Sequence, residues 1–151
     1  MIKVVAIGKK HEPWITDGID RYSKRLRAPW NLEWVLLPHS AREGDMARQE
    51  ESERILNKLN DRDFVVLLDE RGKMLDSPTL SRHLEAAQQN ARQIVCIIGG
   101  AYGINEALTA RADLVWSLSP LVFPHQLVRL ILVEQLYRAQ EIALGNPYHH
   151  E

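Results

Sequence analysis

Runs that are apolar at nearly every position alternate along this chain with longer stretches where apolar residues return every three or four places. The runs fall at residues 4–7, 32–37, 64–68, 94–98 and 114–118. Such continuous apolarity predicts strands covered on both faces. The stretches between them predict helices. The first starts at Pro13, where a proline suits the first helical position, and carries Trp14, Ile15, Ile19, Tyr22 and Leu26 as its apolar stripe, with Gly18 as a soft spot. The second, over residues 45–59, is heavily charged and only weakly amphipathic through Met46, Ile55, Leu56 and Leu59, which predicts an exposed helix. Ser77-Pro78 supplies a cap and a first-turn proline for the third, with Leu80, Leu84 and Ala87 on one face. Asn105 caps a short fourth over residues 106–112. The last, over 126–144, is apolar almost all round, so burial on more than one side is expected, with a second subunit as the second cover.

Alternating strands and helices predict an α/β fold with a mainly parallel sheet flanked by helices. The length of 151 residues fits a single domain over 1–151. A chain of this size buries roughly 68–70% of its unfolded surface and needs no metal or disulfide staple. The lone Cys96, inside the fourth run, reads as a small buried hydrophobe and fits a reducing compartment. The N-terminus acquires charge too soon for a signal peptide, and no stretch approaches the ~20 apolar residues of a membrane span, so a cytoplasmic protein without membrane partners is expected. No Cys/His cluster has zinc spacing, and no metal is expected. The net charge of −1 counts against an autonomous nucleic-acid binder.

Ligands of open α/β sheets bind beyond the carboxyl ends of the strands, and three of those ends carry unusual residues here. After the third run comes Asp69-Glu70-Arg71-Gly72. After the fourth comes Gly99-Gly100-Ala101-Tyr102-Gly103, either a tight turn or a ligand loop. It is not the Gly-x-Gly-x-x-Gly of dinucleotide oxidoreductases, nor a phosphate loop. After the fifth comes an apolar, proline-punctuated segment through Leu118, Ser119, Pro120, Leu121, Val122, Phe123 and Pro124 to His125. A loop this apolar must be covered, by the fold or by a ligand.

Five blocks then become specific together: Ile98-Gly99-Gly100-Ala101-Tyr102-Gly103; Trp116-Ser117-Leu118-Ser119; Pro124-His125-Gln126-Leu127-Val128-Arg129; Glu134-Gln135-Leu136-Tyr137-Arg138-Ala139; and Asn146-Pro147-Tyr148-His149-His150-Glu151. In this order and spacing they resemble the RlmH family of the SPOUT superfamily, methyltransferases that act on pseudouridine N3 in 23S ribosomal RNA. The resemblance covers the whole chain. It implies a SPOUT-type α/β fold with a C-terminal trefoil knot, a homodimer and S-adenosylmethionine as cofactor. By matching positions, Leu68, Gly99, Gly100, Gly103 and the loop Leu118, Ser119, Pro120, Leu121, Val122 and Phe123 would bind that cofactor.

Four catalytic candidates follow, three of them resting mainly on the same resemblance and His125 on its place after the loop. Arg138 would steady negative charge on the base or grip a phosphate, against the plain alternative of an i,i+4 pair with Glu134. His125 either contacts substrate or caps the last helix. Tyr148 and His149, at a chain end that could equally be frayed, would stack on a base and assist proton transfer. His150 stands where the family often has arginine. The basic residues Arg21, Lys24, Arg25 and Arg27 read first as a solvated helix face. Near-neutral charge implies that the assembled ribosome, rather than bare RNA, presents the target.

Overall fold

The computed structural model describes residues 1–150. Among them five strands and five helices alternate: β1 (Ile2–Ile7), α1 (Pro13–Ser23), β2 (Leu32–Leu37), α2 (Gly44–Leu56), β3 (Phe64–Met74), α3 (Ser77–Gln89), β4 (Ile94–Ile98), α4 (Glu106–Arg111), β5 (Leu114–Ser117) and α5 (His125–Ala143). The strands form one sheet in the order β2-β1-β4-β3-β5, and every pairing is parallel.

Consecutive strand residues point to opposite faces, so each apolar run feeds two cores. Ile2, Val4 and Ala6 of β1 join Ile94, Cys96 and Ile98 of β4 on one face, beneath Leu80 and Leu84 of α3 and Leu132 and Leu136 of α5. Val5, Ile7, Val95 and Ile97 turn to the other face, against Ile55 of α2 and Leu108 of α4. Cys96 is fully buried, and burial pushes its thiol up to about 12.

Several local expectations are corrected. β3 does not stop at Leu68: it bulges, so that Trp116 of β5 faces both Leu68 and Lys73, and then continues to Met74. Gly72 is required in that bulge, because a Cβ there would lie 2.6 Å from the Val115 carbonyl oxygen. Asp76, not Ser77, caps α3; its carboxylate accepts from the Thr79 N–H at 2.8 Å. Asn105 caps α4 as expected. Gly18 lets α1 approach α5 closely, since a Cβ there would reach Leu130 Cδ1 at 2.8 Å. The charged α2 is not simply exposed: Ala47, Glu51, Ser52 and Ile55 are buried, while Met46 faces out.

Helix α5 packs against α1 and α3. Its buried set includes two polar residues, Arg129 and Gln140. Gln140 is matched: its carbonyl accepts from the Arg27 N–H at 2.7 Å and its amide donates to the Arg25 carbonyl at 3.1 Å.

Candidate active site

The carboxyl ends of β3, β4 and β5 open onto a cavity of about 490 Å³. That size lies within the range of small-molecule sites, roughly 300–1,000 Å³. Its lining holds Leu68, Gly99, Gly100, Gly103, Leu118, Ser119, Leu121, Val122, Phe123 and His125, with Asp69, Glu70 and Arg71 of the β3 bulge along one side. Pro120 is exposed and is not part of the lining. Nine of the ten residues expected to bind a cofactor therefore meet at one place.

The glycines have separate reasons to be there. Gly103 has φ +81, a left-handed conformation that strains other residues, and pairs with Gly100 in a tight turn. Gly100 is packed from behind: a Cβ would collide with Glu51 Oε1 and lie 3.1 Å from Ile7 Cγ2. The loop after β5 is held by Ser119, whose hydroxyl accepts from the Leu121 N–H at 3.0 Å and whose carbonyl accepts from the Ser117 hydroxyl at 3.1 Å. Beyond that anchor Leu121 is 68% exposed and Val122 80%. Two large apolar side chains on a cavity mouth are what an apolar ligand surface would cover.

His125 closes the cavity at the start of α5. Burial, then the charge of Arg129, hold its imidazole below the ordinary value, with Glu51 acting in the opposite direction. It is thus neutral at physiological pH and able to accept a proton.

The remaining three candidates gather elsewhere. Arg138 pairs with Glu134, with Nη2 and Nε 2.6 and 2.9 Å from its Oε1. The same guanidinium lies 4.7 Å from the centre of the Tyr148 ring and 3.2 Å from His149 Nδ1. The Tyr148 hydroxyl donates to Glu134 Oε1 at 3.3 Å, and its ring meets Tyr137 edge-on. Tyr148 and His149 are therefore docked, not frayed, and the Glu134 pair and the clustered arrangement coexist. Thirteen helical steps of α5 separate His125 from Arg138, about 20 Å along a helix axis. His149 lines a second cavity that shares Trp116, Leu118 and Phe123 with the first.

Two buried charges near the cavity were missed by the sequence reading. Arg129 is 1% exposed; its Nη1 donates to the Lys9 carbonyl at 2.9 Å and sits 3.2 Å from His11 Nδ1. Glu51 is 3% exposed and accepts from the Ser40 N–H at 2.9 Å. A signal was present for both: Glu51 lies midway between Ala47 and Ile55 on one helix line, and Arg129 precedes Leu132, Val133 and Leu136 on another. Among the described residues no group of three or more His, Cys, Asp or Glu is placed to hold a metal ion. No helix there is long and apolar enough to cross a membrane.

A parallel sheet whose carboxyl edge carries a glycine turn beside an apolar loop places an open cavity where sheets of this kind take their ligands. The chain belongs to the SPOUT methyltransferase family, whose model, described as a predicted SPOUT methyltransferase, matches residues 1–149. Among its relatives is the ribosomal RNA large subunit methyltransferase H of Thioalkalivibrio sulfidiphilus, 41% identical over 154 residues with 99% of each chain covered. The protein of that name from Geobacter metallireducens is 42% identical over 155 residues, covering 99% of this chain and 98% of its own. That of Hahella chejuensis is 38% identical over 154 residues, with 99% of both covered. A fainter likeness of fold, at TM-score 0.47 and 14% identity, links 95% of this chain to 58% of the SpoU methyltransferase AviRb of Streptomyces viridochromogenes, solved in complex with AdoMet.

Proposed function

We propose that this protein is a single-domain, S-adenosylmethionine-dependent methyltransferase that modifies N3 of a pseudouridine in 23S ribosomal RNA, working in the cytoplasm as a homodimer on the assembled ribosome. The observation that carries the reading is the cavity at the ends of β3, β4 and β5, where Gly99, Gly103, Leu118 and Phe123 meet in a chain of the SPOUT family. Names of full-length relatives near 40% identity support the ribosomal RNA substrate.

Leu68, Gly99, Gly100 and Gly103, with Leu118, Ser119, Leu121, Val122 and Phe123 of the loop, would hold the cofactor. The fit is favourable: the glycines let the backbone approach a ligand closely, and Leu121 and Val122 are left for it to cover. Bound there, the cofactor supplies a methyl group on a positively charged sulfur, open to in-line attack. The protein's work is alignment of the acceptor nitrogen, exclusion of water and handling of one proton. Leu118 and Phe123 exclude water. Neutral His125 accepts the N3 proton. Arg138 steadies the negative charge that develops on the base, and Tyr148 and His149 hold the base in register.

Arg138 and His125 sit at opposite ends of one helical stretch, which favours a partner's tail at each cavity. The face for that partner is the recess between α1 and α5, lined by Leu127, Leu130 and Ile131 beside Trp14, which is 56% exposed. The trefoil knot of the family is carried over as part of this proposal, and the turn at 99–103 and the loop at 118–123 line one cavity, as it would require. A net charge of −1 leaves RNA recognition to the ribosome's surface.

Nucleoside mass spectrometry of 23S RNA from cells with and without the gene tests the reading. Loss of one methylated pseudouridine is expected, restored by purified protein and S-adenosylmethionine acting on ribosomes. An unchanged nucleoside profile overturns the substrate, and equal activity on naked transcript overturns the ribosomal context.

A further inference from the structure

Glu51 is not explained by packing. It stands on the buried line of α2 between Ala47 and Ile55, in a position an apolar residue would fill at lower cost. Its Oε2 accepts one hydrogen bond, from the Ser40 N–H at 2.9 Å, and lies 3.8 Å from His39 Nδ1. Its Oε1 is buried and has no hydrogen-bond partner among the described residues. No lysine or arginine pairs with it there. Arg129, the other buried charge nearby, is turned to the Lys9 carbonyl and to His11 instead. A buried carboxylate oxygen without a partner is expensive, and such groups persist where the missing partner arrives with a ligand.

The free oxygen points at the glycine turn. A Cβ on Gly100 would collide with Glu51 Oε1, so the carboxylate lies directly behind the backbone that lines the cavity. The acidic groups that line that cavity, Asp69 and Glu70, differ from it. Asp69 is already engaged by Arg71, with Oδ2 and Nη2 2.9 Å apart. Glu70 is exposed.

We propose that Glu51 is a further cofactor-binding residue, the buried counter-charge that favours a cationic sulfonium over its neutral thioether product. The proposal rests on the reading of the cavity as the S-adenosylmethionine site. The Gly100 backbone lies between the carboxylate and the ligand space, and Glu51 is 3% exposed with Oε1 fully buried. Its field therefore acts with little screening. Once the methyl group has left, the product carries no sulfonium charge and this attraction disappears, which favours product release.

Titration calorimetry on the full-length protein tests this without turnover. Glu51→Gln keeps the side chain's size and an acceptor for Ser40 while removing the charge. Affinity for S-adenosylmethionine should fall about tenfold, the scale of a charge interaction across partly buried protein, while S-adenosylhomocysteine stays within about twofold. Equal weakening of both ligands would reveal a packing role, and no change in either would remove Glu51 from the site; each overturns the proposal. Should the variant not fold, the wild-type ratio decides. The sulfonium must bind at least as tightly as the thioether, and a clear preference for the thioether overturns it. A wild-type protein that binds neither ligand overturns the reading of the cavity itself.

Discussion

Gly100→Ala is the most direct probe of how the glycine turn is built. The added methyl group would collide with Glu51 Oε1 and stand 3.1 Å from Ile7 Cγ2 and 3.3 Å from Glu51 Cδ. Glu51 cannot swing away cheaply, because Oε2 is held by Ser40 and the whole side chain is buried. Ile7 is 1% exposed and fixed in the second core. Adding one methyl group to such a site costs about 1–3 kcal/mol. At roughly 2–4 °C per kcal/mol for a chain of this size, the melting temperature should fall by about 2–12 °C. Glu51→Ala in the same background opens the space, so the double variant should be more stable than the two single losses added together, by about 1 kcal/mol or more. Differential scanning calorimetry of the four proteins completes the cycle. A Gly100→Ala protein that melts with the wild type, or a cycle whose losses simply add, would refute the contact between the turn and α2.

Arg138→Ala should leave S-adenosylmethionine affinity unchanged by calorimetry and slow single-turnover methylation of ribosomes by about tenfold or more, the scale of a lost charge-assisted contact; intact turnover would remove that side chain from the mechanism. Burial is the first cause holding His11 and His125 below 6.5. The unfolded chain then takes up protons before the folded one, so stability is complete above about pH 6.5 and declines as pH falls toward the folded-state values. Melting temperatures between pH 8 and 5 should show that decline, made shallower by His125→Gln; a flat profile contradicts it. With its thiol buried and raised to about 12, Cys96 should resist alkylation at pH 8 in the native protein and react at once in denaturant.

The sheet was legible because every interior strand is covered on both faces, which leaves unbroken apolar runs such as 94–98. Only the first half of β3 forms such a run, because its second half, Asp69 to Met74, is polar: it pairs with the edge strand β5 past a bulge and needs little burial. The cap of α3 was misplaced by one residue because Asp76 and Ser77 are both capping types, and only the accepted bond to Thr79 chooses between them. In the site, the glycine turn and the apolar loop announce themselves by composition. Glu51 and Arg129 do not, since a charged residue on a buried line looks like a lapse in amphipathicity until its neighbours are known. The strand order, and with it the meeting of 99–103 with 118–123, is a long-range property that no local pattern encodes.

The two ends of α5 lead to a last prediction. Reacting and assisting groups must lie about 3–3.5 Å from the atoms they serve. His125 and Arg138 of one chain are about 20 Å apart along the helix, so both cannot touch one base. If the cavity of one chain works with the tail of its partner, subunits damaged at different ends should repair each other. Gly99→Val fills the cavity side, where even a Cβ meets Ile104 Cγ2 at 3.0 Å, and Arg138→Ala disables the tail. Gly99→Val alone should be inactive, and Arg138→Ala alone should keep about a tenth of the activity or less, the background above which any recovery is read. In a mixed dimer, the intact cavity of the Arg138→Ala chain meets the intact tail of the Gly99→Val chain, which rebuilds one site of two. Random exchange makes half the dimers mixed, so an equal mixture should recover about a quarter of wild-type activity in a symmetric dimer. Sites formed within one chain would recover nothing, because neither chain holds both working ends, and a mixture that stays at that background, with exchange verified by mass spectrometry, would refute the shared site.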